Sequence, residues 1–341
     1  MSIANQRRRV IPIIPSAILK RHQVDEPGDT RFRAAARLSQ SLWRERQGYA
    51  CGHRSDELHN GRKLGSRLTV KTAQTGANFI TREVAELVQW ELAYREIAAA
   101  IDTKRLAGNL LSSQALTFNL FGPLKLAPKL ATAVFRRLCP DFVQEVEDVW
   151  FEHSPGRGHP AFTGDHTAFD VVLLCRTVRG GKGLVAIEVK YTEGTSTQPG
   201  PISPRYDDLS RQSGLFHDPA FPALRSPGVQ QFWREHLLAH STLTAALYDE
   251  ALFFVVAPSQ NRECQIAIER YRQQLNPIEA ATLTFADVAV ETMVDAMAAE
   301  GMVQEAELLR DRYLDFSAVD RALFQIIRGG QDARESPRQA A

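Results

Sequence analysis

Two charged side chains interrupt an apolar run at "GLVAIEVKY", residues 183–191. Successive side chains of a strand point to opposite faces. Val185 and Ile187 therefore share one face, while Glu188 and Lys190 project together from the other. We expect the first face to pack in the core and the second to present a carboxylate and an ammonium side by side.

A second apolar run, "AFDVVLLCRTV", precedes this one, and the glycines of "RGGKG" between them predict a tight hairpin. If the turn is centred near Arg179, Asp170 faces Glu188 across the two strands. Directly opposite side chains of an antiparallel pair have Cβ atoms about 4.5–5.5 Å apart, so two carboxylates there repel each other. A cation between them would remove the repulsion. The argument depends on the register, because a slip of one residue sends Asp170 to the other face.

Lys190 supplies one positive charge for this carboxylate pair, and a divalent metal would supply two more. Oxygen ligands of this kind suit Mg²⁺, for which Mn²⁺ can substitute, and the backbone carbonyl of Val189 is a further candidate ligand. A metal here can hold a phosphate oxygen and lower the pKa of a bound water. Lys190 would orient that water or neutralise the phosphate. The residues therefore favour metal-assisted hydrolysis of a phosphodiester.

Three other residues are candidates for auxiliary roles, each with a plainer alternative. Asp165 is a second choice of carboxylate, although its place before the strand is typical of a turn residue. Arg157, in "SPGRGHP", would grip a phosphate beside the metal or simply belong to a surface loop. Gln212 would touch substrate or lie on the solvated face of the helix that follows the hairpin.

The bulk properties exclude some classes of protein and leave others open. The chain has 341 residues and a net charge of +1, so only a local cluster of cations could attract a polyanion. Four cysteines are far apart, and buried reduced thiols at Cys139, Cys175 and Cys264 favour a cytoplasmic location without a membrane span. The motifs GxxxxGK[ST], GxSxG and HExxH do not occur, which argues against P-loop motors, serine hydrolases of that type and zincins.

The element pattern predicts an α/β protein, with one mixed β-sheet flanked by helices in the order α-β-β-β-α-β. Residues 1–30 are expected to form a flexible arm, 31–104 an N-terminal helical extension, 105–328 the domain that carries the sheet, and 329–341 a disordered tail. Within the extension we expect a polar loop after the first long helix. A later helix, expected over residues 82–102 with Ile97 on its apolar side, is capped by Thr81, and another ends before Gly122-Pro123.

Asp170 at the start of a strand, a hairpin, and Glu188-Val189-Lys190 after an apolar run resemble the signature of the PD-(D/E)XK nuclease superfamily. The element order is similar to the common core of that superfamily, and the sequence resembles its bacterial restriction-endonuclease-like proteins over residues 105–295. The resemblance implies a restriction-endonuclease-like fold. It also implies metal binding by Asp170 and Glu188 and a catalytic role for Lys190. The proline that often precedes the aspartate is replaced by Phe169.

Many members of the superfamily also carry a glutamate on the helix before the sheet, and here no helix offers an obvious match. Glu152, at the end of the first strand, is the candidate we favour over Gln114, Glu145 and Glu147. The resemblance implies Mg²⁺-dependent hydrolysis of DNA, in restriction, defence or repair, and a homodimer would suit cutting of both strands. Two alternatives stay open: a non-catalytic protein that binds nucleic acid, and a hydrolase of RNA or another phosphate ester.

Overall fold

The computed structural model describes residues 10–54, 61–193, 200–277 and 282–325. The helices are α1 Ser16–Arg21, α2 Arg31–Arg46, α3 Val70–Gln74, α4 Arg82–Ala93, α5 Thr103–Gly108, α6 Ser113–Leu126, α7 Pro128–Leu138, α8 Pro204–Ser213, α9 Gln230–Thr244, α10 Arg262–Arg272, α11 Val290–Ala299 and α12 Val303–Leu309. The strands are β1 Cys51–His53, β2 Lys63–Leu68, β3 Val143–His153, β4 Phe169–Thr177, β5 Lys182–Val189, β6 Glu250–Ala257 and β7 Leu283–Ala289.

A five-stranded sheet in the order β3-β4-β5-β6-β7 forms the centre of the molecule. The strands β3, β4 and β5 are antiparallel neighbours, while β6 and β7 continue the sheet in parallel with β5. The mixed sheet flanked by helices confirms the predicted fold class. The pairing of Val171 with Ile187 confirms the predicted hairpin register, which sets Asp170 opposite Glu188.

Helices cover both faces of this sheet. Val185, Ile187 and Val189 point into a core built with α2, α6, α7, α11 and α12, whereas Leu184 and Ala186 pack against α8, α9 and α10. Fully burying a side chain such as Val or Ile stabilises the fold by about 1.5–3 kcal/mol. β5 is therefore an interior strand, and Glu188 is buried.

Part of the expected flexible arm is packed against the core. Ile11, Ile14, Ile18 and Val24 are buried in the same cluster as the sheet, and α1 lies among them. Pro12 and Pro15 interrupt this segment, so the sequence gives no continuous helical or strand pattern that would reveal the burial. Residues 1–9 and the tail expected at 329–341 lie outside the described residues.

The polar loop expected after α2 is partly a hairpin, in which β1 and β2 are antiparallel. Leu64 and Leu68 are buried, and the amide of Gly65 donates to the Gln23 carbonyl at 2.8 Å. A Cβ on Gly65 would lie 2.2 Å from the carbonyl oxygen of His22, so a side chain is excluded there. The loop prediction is wrong because the close approach of Gly65 to the chain at His22 and Gln23, rather than local alternation, specifies this hairpin.

Two predicted helix ends also differ from the structure. The helix capped by Thr81, whose hydroxyl accepts from the Val84 amide at 3.2 Å, ends at Ala93, and Ile97 is exposed. Conversely, α6 continues through Pro123 to Leu126. Ten successive residues of α6, 115–124, are buried, and this burial outweighs the hydrogen bond that the proline removes.

Hydrogen bonds of buried side chains connect the N-terminal helices to the segment that follows α12 and to the residues that follow β5. Arg312 donates to the Asn78 carbonyl at 3.0 Å and to Gln40 Oε1 at 3.3 Å. Gln40 Nε2 donates in turn to the Tyr191 hydroxyl, two residues beyond β5, at 3.1 Å. The N-terminal extension is thus packed against the strand that ends at the site described below. In the described part of the chain, no helix combines the length and apolarity that a bilayer crossing needs.

Candidate active site

Three carboxylates lie in one row across adjacent strands. The β4–β5 register places Asp170 opposite Glu188. On the other side of β4, the pairing of Phe151 with Val171 places Glu152 opposite Asp170. Like charges directly opposite each other destabilise a sheet. A row of three acids across β3, β4 and β5 therefore lowers the free energy of unfolding locally, and interactions elsewhere in the fold must offset this loss.

Burial and mutual repulsion raise the pKa values of two of these acids. Burial raises the pKa of Asp170 well above its usual range, and the charges of Glu188 and Glu152 add to the effect. The Val189 amide, which donates to Asp170 Oδ2 at 2.8 Å, opposes it, as does the charge of Lys190. Burial, with help from Glu188, raises the pKa of Glu152 to about 7. Without a cation in the row, Asp170 and Glu152 therefore resist ionisation.

Glu152 also has an unusual backbone conformation. Its φ angle is +49°, in the left-handed region that non-glycine residues seldom adopt. Such a conformation costs on the order of 1–3 kcal/mol and persists only where neighbouring contacts impose it. Here Arg157 donates to the Glu152 carbonyl at 3.0 Å, directly before β3 leads into the next loop. This backbone orientation leaves the Glu152 side chain lining a cavity.

Lys190 is held as a cation beside the row. Its Nζ lies 2.5 Å from Glu188 Oε1 and 2.5 Å from Gln231 Oε1. Burial alone would lower the pKa of Lys190, but the charges of Glu188, Glu235 and Glu193 outweigh burial and raise it. A lysine that stays protonated can donate hydrogen bonds and neutralise charge, but it cannot accept a proton from water.

Two residues of α9 complete the arrangement, and they have no obvious link to the hairpin in the sequence. Gln231 Nε2 donates to Glu188 Oε1 and to Glu235 Oε1, both at 2.8 Å, while Gln231 Oε1 accepts from Lys190. Glu235 is buried, and burial together with Glu188 raises its pKa well above the usual range. Its Oε2 has no hydrogen-bond partner within the described residues. The only sequence signal is the spacing of four residues, which places both side chains on one face of a helix.

A family model described as the PD-(D/E)XK nuclease superfamily matches residues 27–315. The chain belongs to this superfamily. No curated protein and no solved structure matches the chain. The match begins before α2 and continues beyond α12, so it includes the N-terminal extension as well as the restriction-endonuclease-like sheet. It is thus wider than the resemblance over residues 105–295.

Superfamily members typically use divalent metals, and the donor set here fits such an ion. Mg²⁺ is bound through one or two protein carboxylates together with waters and substrate phosphates. Asp170 and Glu188 provide two facing carboxylates beside the Val189 backbone, and burial and the neighbouring acids disfavour the ionised form of Asp170. No group of three or more His, Cys, Asp or Glu side chains in the described ranges is arranged as a complete metal cage. The residues therefore suit an ion that keeps several waters rather than one held by protein ligands alone.

The guanidinium of Arg157 is held by hydrogen bonds within the protein. Its Nε and Nη2 donate to Glu96 Oε2 at 3.0 and 2.9 Å, and Nη2 also donates to the Glu152 carbonyl. Its Nη1 donates to the carbonyls of Ala98 and His166 at 3.2 and 3.4 Å. All three nitrogens are thus engaged, and the alternative of a phosphate-gripping Arg157 is not supported. The residue fixes the loop that follows β3.

Asp165 and Gln212 lie apart from the carboxylate row. Asp165 accepts from Arg234 at 2.6 Å, from the Tyr206 hydroxyl at 2.8 Å and from the Thr167 amide at 3.0 Å. Burial opposes ionisation, but these hydrogen bonds lower the pKa of Asp165 overall. It therefore fixes a turn, as its plainer alternative predicts. Gln212 is exposed on α8 and is not among the described residues that line the cavity.

A cavity of about 940 Å³, which we call the central cavity, opens beside the row. Glu152, Lys190, Gln231 and Glu235 line one part of it. Another part, from the N-terminal extension, is lined by arginines: Arg33, Arg37, Arg54, Arg67 and Arg105. The chain as a whole is nearly neutral, so this cluster is the local concentration of cations that a polyanionic substrate needs.

Proposed function

We propose that the protein is a metal-dependent endonuclease that hydrolyses phosphodiester bonds of DNA, with Mg²⁺ as the ion. The observation that carries the proposal is the row of Glu152, Asp170 and Glu188 beside a protonated Lys190. Membership of a nuclease superfamily supports a nucleic-acid substrate. The arginines that line the central cavity support the same class of ligand.

The carboxylates of Asp170 and Glu188 have the role of holding the ion. Asp170 and Glu188, with the Val189 carbonyl as a further donor, would bind Mg²⁺, which when bound polarises a phosphoryl oxygen and lowers the pKa of a coordinated water. Replacement of protons by a divalent ion would also relieve the repulsion that raises the pKa of Asp170. Glu152 adds a third carboxylate on the cavity side.

Lys190 has the role of stabilising negative charge on the reacting phosphate. Preorganised donors of this kind act most strongly where water is excluded, because they need no reorganisation during the reaction. Gln231 is a positioning residue, since it donates to Glu188 and accepts from Lys190. The pair thereby keeps one orientation relative to the carboxylate row.

Cleavage assays with three substrates test the proposal. Supercoiled plasmid, single-stranded DNA and RNA are incubated with the protein in Mg²⁺, in Mn²⁺ or in EDTA. We expect nicked or linear plasmid with either ion and intact plasmid with EDTA. Cleavage confined to RNA would identify an RNA hydrolase. Retention of DNA in a gel without cleavage in any metal would contradict the proposal and favour a binding protein.

Matched variants separate loss of chemistry from loss of fold. Asp170→Asn keeps the shape of the side chain and removes a repelled charge, so it should fold at least as well as the wild type. Lys190→Met removes the cation and keeps most of the volume, and circular dichroism verifies that it is folded. Each should lower the cleavage rate by about 100-fold or more. Gln212→Ala, at an exposed position outside the cavity, should cleave at the wild-type rate. Wild-type activity of Asp170→Asn would refute the assignment.

A further inference from the structure

Arg67 is a partly buried arginine for which no ion pair is seen within the described residues. It lies near the end of β2 and lines the central cavity that also contains Lys190. Its Nε is buried without a hydrogen-bond partner among the described residues. Burial lowers its pKa, and the neighbouring charges of Arg37, Arg105 and Arg54 lower it further. A buried polar nitrogen of this kind costs free energy unless a ligand satisfies it.

The acids beside this cluster are already shared among the other arginines. Asp29 accepts two hydrogen bonds from Arg37, at 2.6 and 2.9 Å, and also lies 3.4 Å from Arg33. These contacts commit Asp29 to two arginines, neither of which is Arg67.

Two more acids serve the remaining arginines. Glu26 pairs with Arg54 at 2.6 Å and also with Arg62. Glu193 pairs with Arg105 at 3.3 Å. Asp102, the remaining acid near Arg67, accepts hydrogen bonds from the amides of Lys104 and Arg105 at the start of α5. Among the described residues, arginines therefore outnumber acids around Arg67.

We propose that Arg67, with Arg105 beside it, binds a phosphate group of a nucleic-acid strand at a subsite separate from the carboxylate row. A phosphate supplies both the negative charge and the acceptor oxygens that the guanidinium lacks. This inference rests on the proposed function, because it assigns the substrate's path through the central cavity. The strand would extend from Lys190 to the β1–β2 hairpin, so the N-terminal extension would form part of the nucleic-acid surface.

Binding without cleavage tests the subsite. Fluorescence anisotropy with a labelled DNA oligonucleotide in EDTA compares the wild type, Arg67→Gln and Arg211→Gln. Arg211 is an exposed arginine on α8, paired with Asp208 at 2.6 Å, and it does not line the central cavity in the part of the chain described. Arg211→Gln therefore removes the same charge elsewhere. We expect Arg67→Gln to bind about 10-fold more weakly, with the slope of log K against log salt reduced by about one, and Arg211→Gln to bind as the wild type does.

A thermal unfolding measurement in EDTA provides a second readout that does not require DNA. Inorganic phosphate should raise the Tm of the wild type and of Arg211→Gln more than that of Arg67→Gln. Oligonucleotides with and without a 5′-phosphate distinguish the source of the group. An Arg67 effect seen only with the 5′-phosphate identifies a terminal phosphate, and an equal effect identifies an internal one.

The two proposals fail in different ways. Equal losses of DNA binding in Arg67→Gln and Arg211→Gln, together with equal Tm shifts in phosphate, would overturn the subsite. Absence of cleavage by the wild type, with weakened binding by Arg67→Gln, would overturn the nuclease activity and leave the subsite standing.

Discussion

Replacement of Glu152 by Gln tests how strongly burial and repulsion disfavour an ionised carboxylate in the row. The side chain keeps its shape, and the backbone at φ +49° is unchanged, so the main difference is the loss of an ionisable group. In the folded protein, burial and the charge of Glu188 raise the pKa of Glu152 from its usual 4.5 to about 7. Removal of that group should stabilise the metal-free protein at pH values where wild-type Glu152 must ionise.

The magnitude follows from the two pKa values. One pKa unit corresponds to about 1.4 kcal/mol, so the difference between 4.5 and about 7 corresponds to about 3 kcal/mol. Between these values the folded state keeps a proton that the unfolded state has released, so the free energy of unfolding falls as the pH rises. Glu152 is partly exposed, and screening by solvent makes 3 kcal/mol the upper end of the expected effect.

The assay is urea unfolding in EDTA at several pH values, followed by circular dichroism. The free energies of unfolding of the wild type and Glu152→Gln should nearly coincide at about pH 4.5, and the variant should gain stability progressively up to about pH 8. Glu145→Gln is the matched control, because Glu145 is an exposed glutamate of the same strand. It should show no such pH-dependent gain. A difference between Glu152→Gln and the wild type that does not vary with pH would refute the reasoning, since crowding acts only on the ionised carboxylate.

Three further substitutions test the fold that positions the site, each by urea unfolding. Phe253→Ala removes a fully buried ring at the centre of the α9 side and should cost about 3–5 kcal/mol; a loss below about 1 kcal/mol would contradict its close packing. Gly183→Ala places a Cβ 2.6 Å from Thr177 Cγ2 and should destabilise the β4–β5 hairpin by about 1–3 kcal/mol; unchanged stability would show that the hairpin relaxes freely. Asp165→Ala removes the acceptor of Arg234 and should cost about 1–3 kcal/mol, with metal-dependent cleavage retained; full loss of cleavage in a folded variant would instead place Asp165 among the catalytic groups.

Local patterns predicted much of the sheet and its flanking helices. The glycines of the turn and the alternation along residues 183–191 were enough to predict the register that sets Asp170 opposite Glu188. Thr81 caps α4 as its position before a helical pattern indicates. These features depend on residues close together in the chain, where strand alternation, turn chemistry and capping act directly.

Features that depend on distant residues could not be predicted in this way. The β1–β2 hairpin needs the close approach of Gly65 to the chain at His22. Ile11, Ile14 and Ile18 are buried only because the core cluster beside the sheet offers them a surface. Glu235 is indistinguishable in the sequence from a surface residue of an amphipathic helix. Its part in the site follows from the packing of α9 against β5 and β6.

The fold class, the facing carboxylates of one hairpin and the lysine beside them could be predicted from the order of residues, because alternation and register are local properties of a strand. The packing of distant elements was needed to show that Glu152 extends the row, that Gln231 links Lys190 to Glu188, and that the donors of Arg157 are already taken. The same packing places arginines of the N-terminal extension around one cavity. The physical reason is that charge neutralisation depends on distances through space, and those distances exist only once the elements have packed.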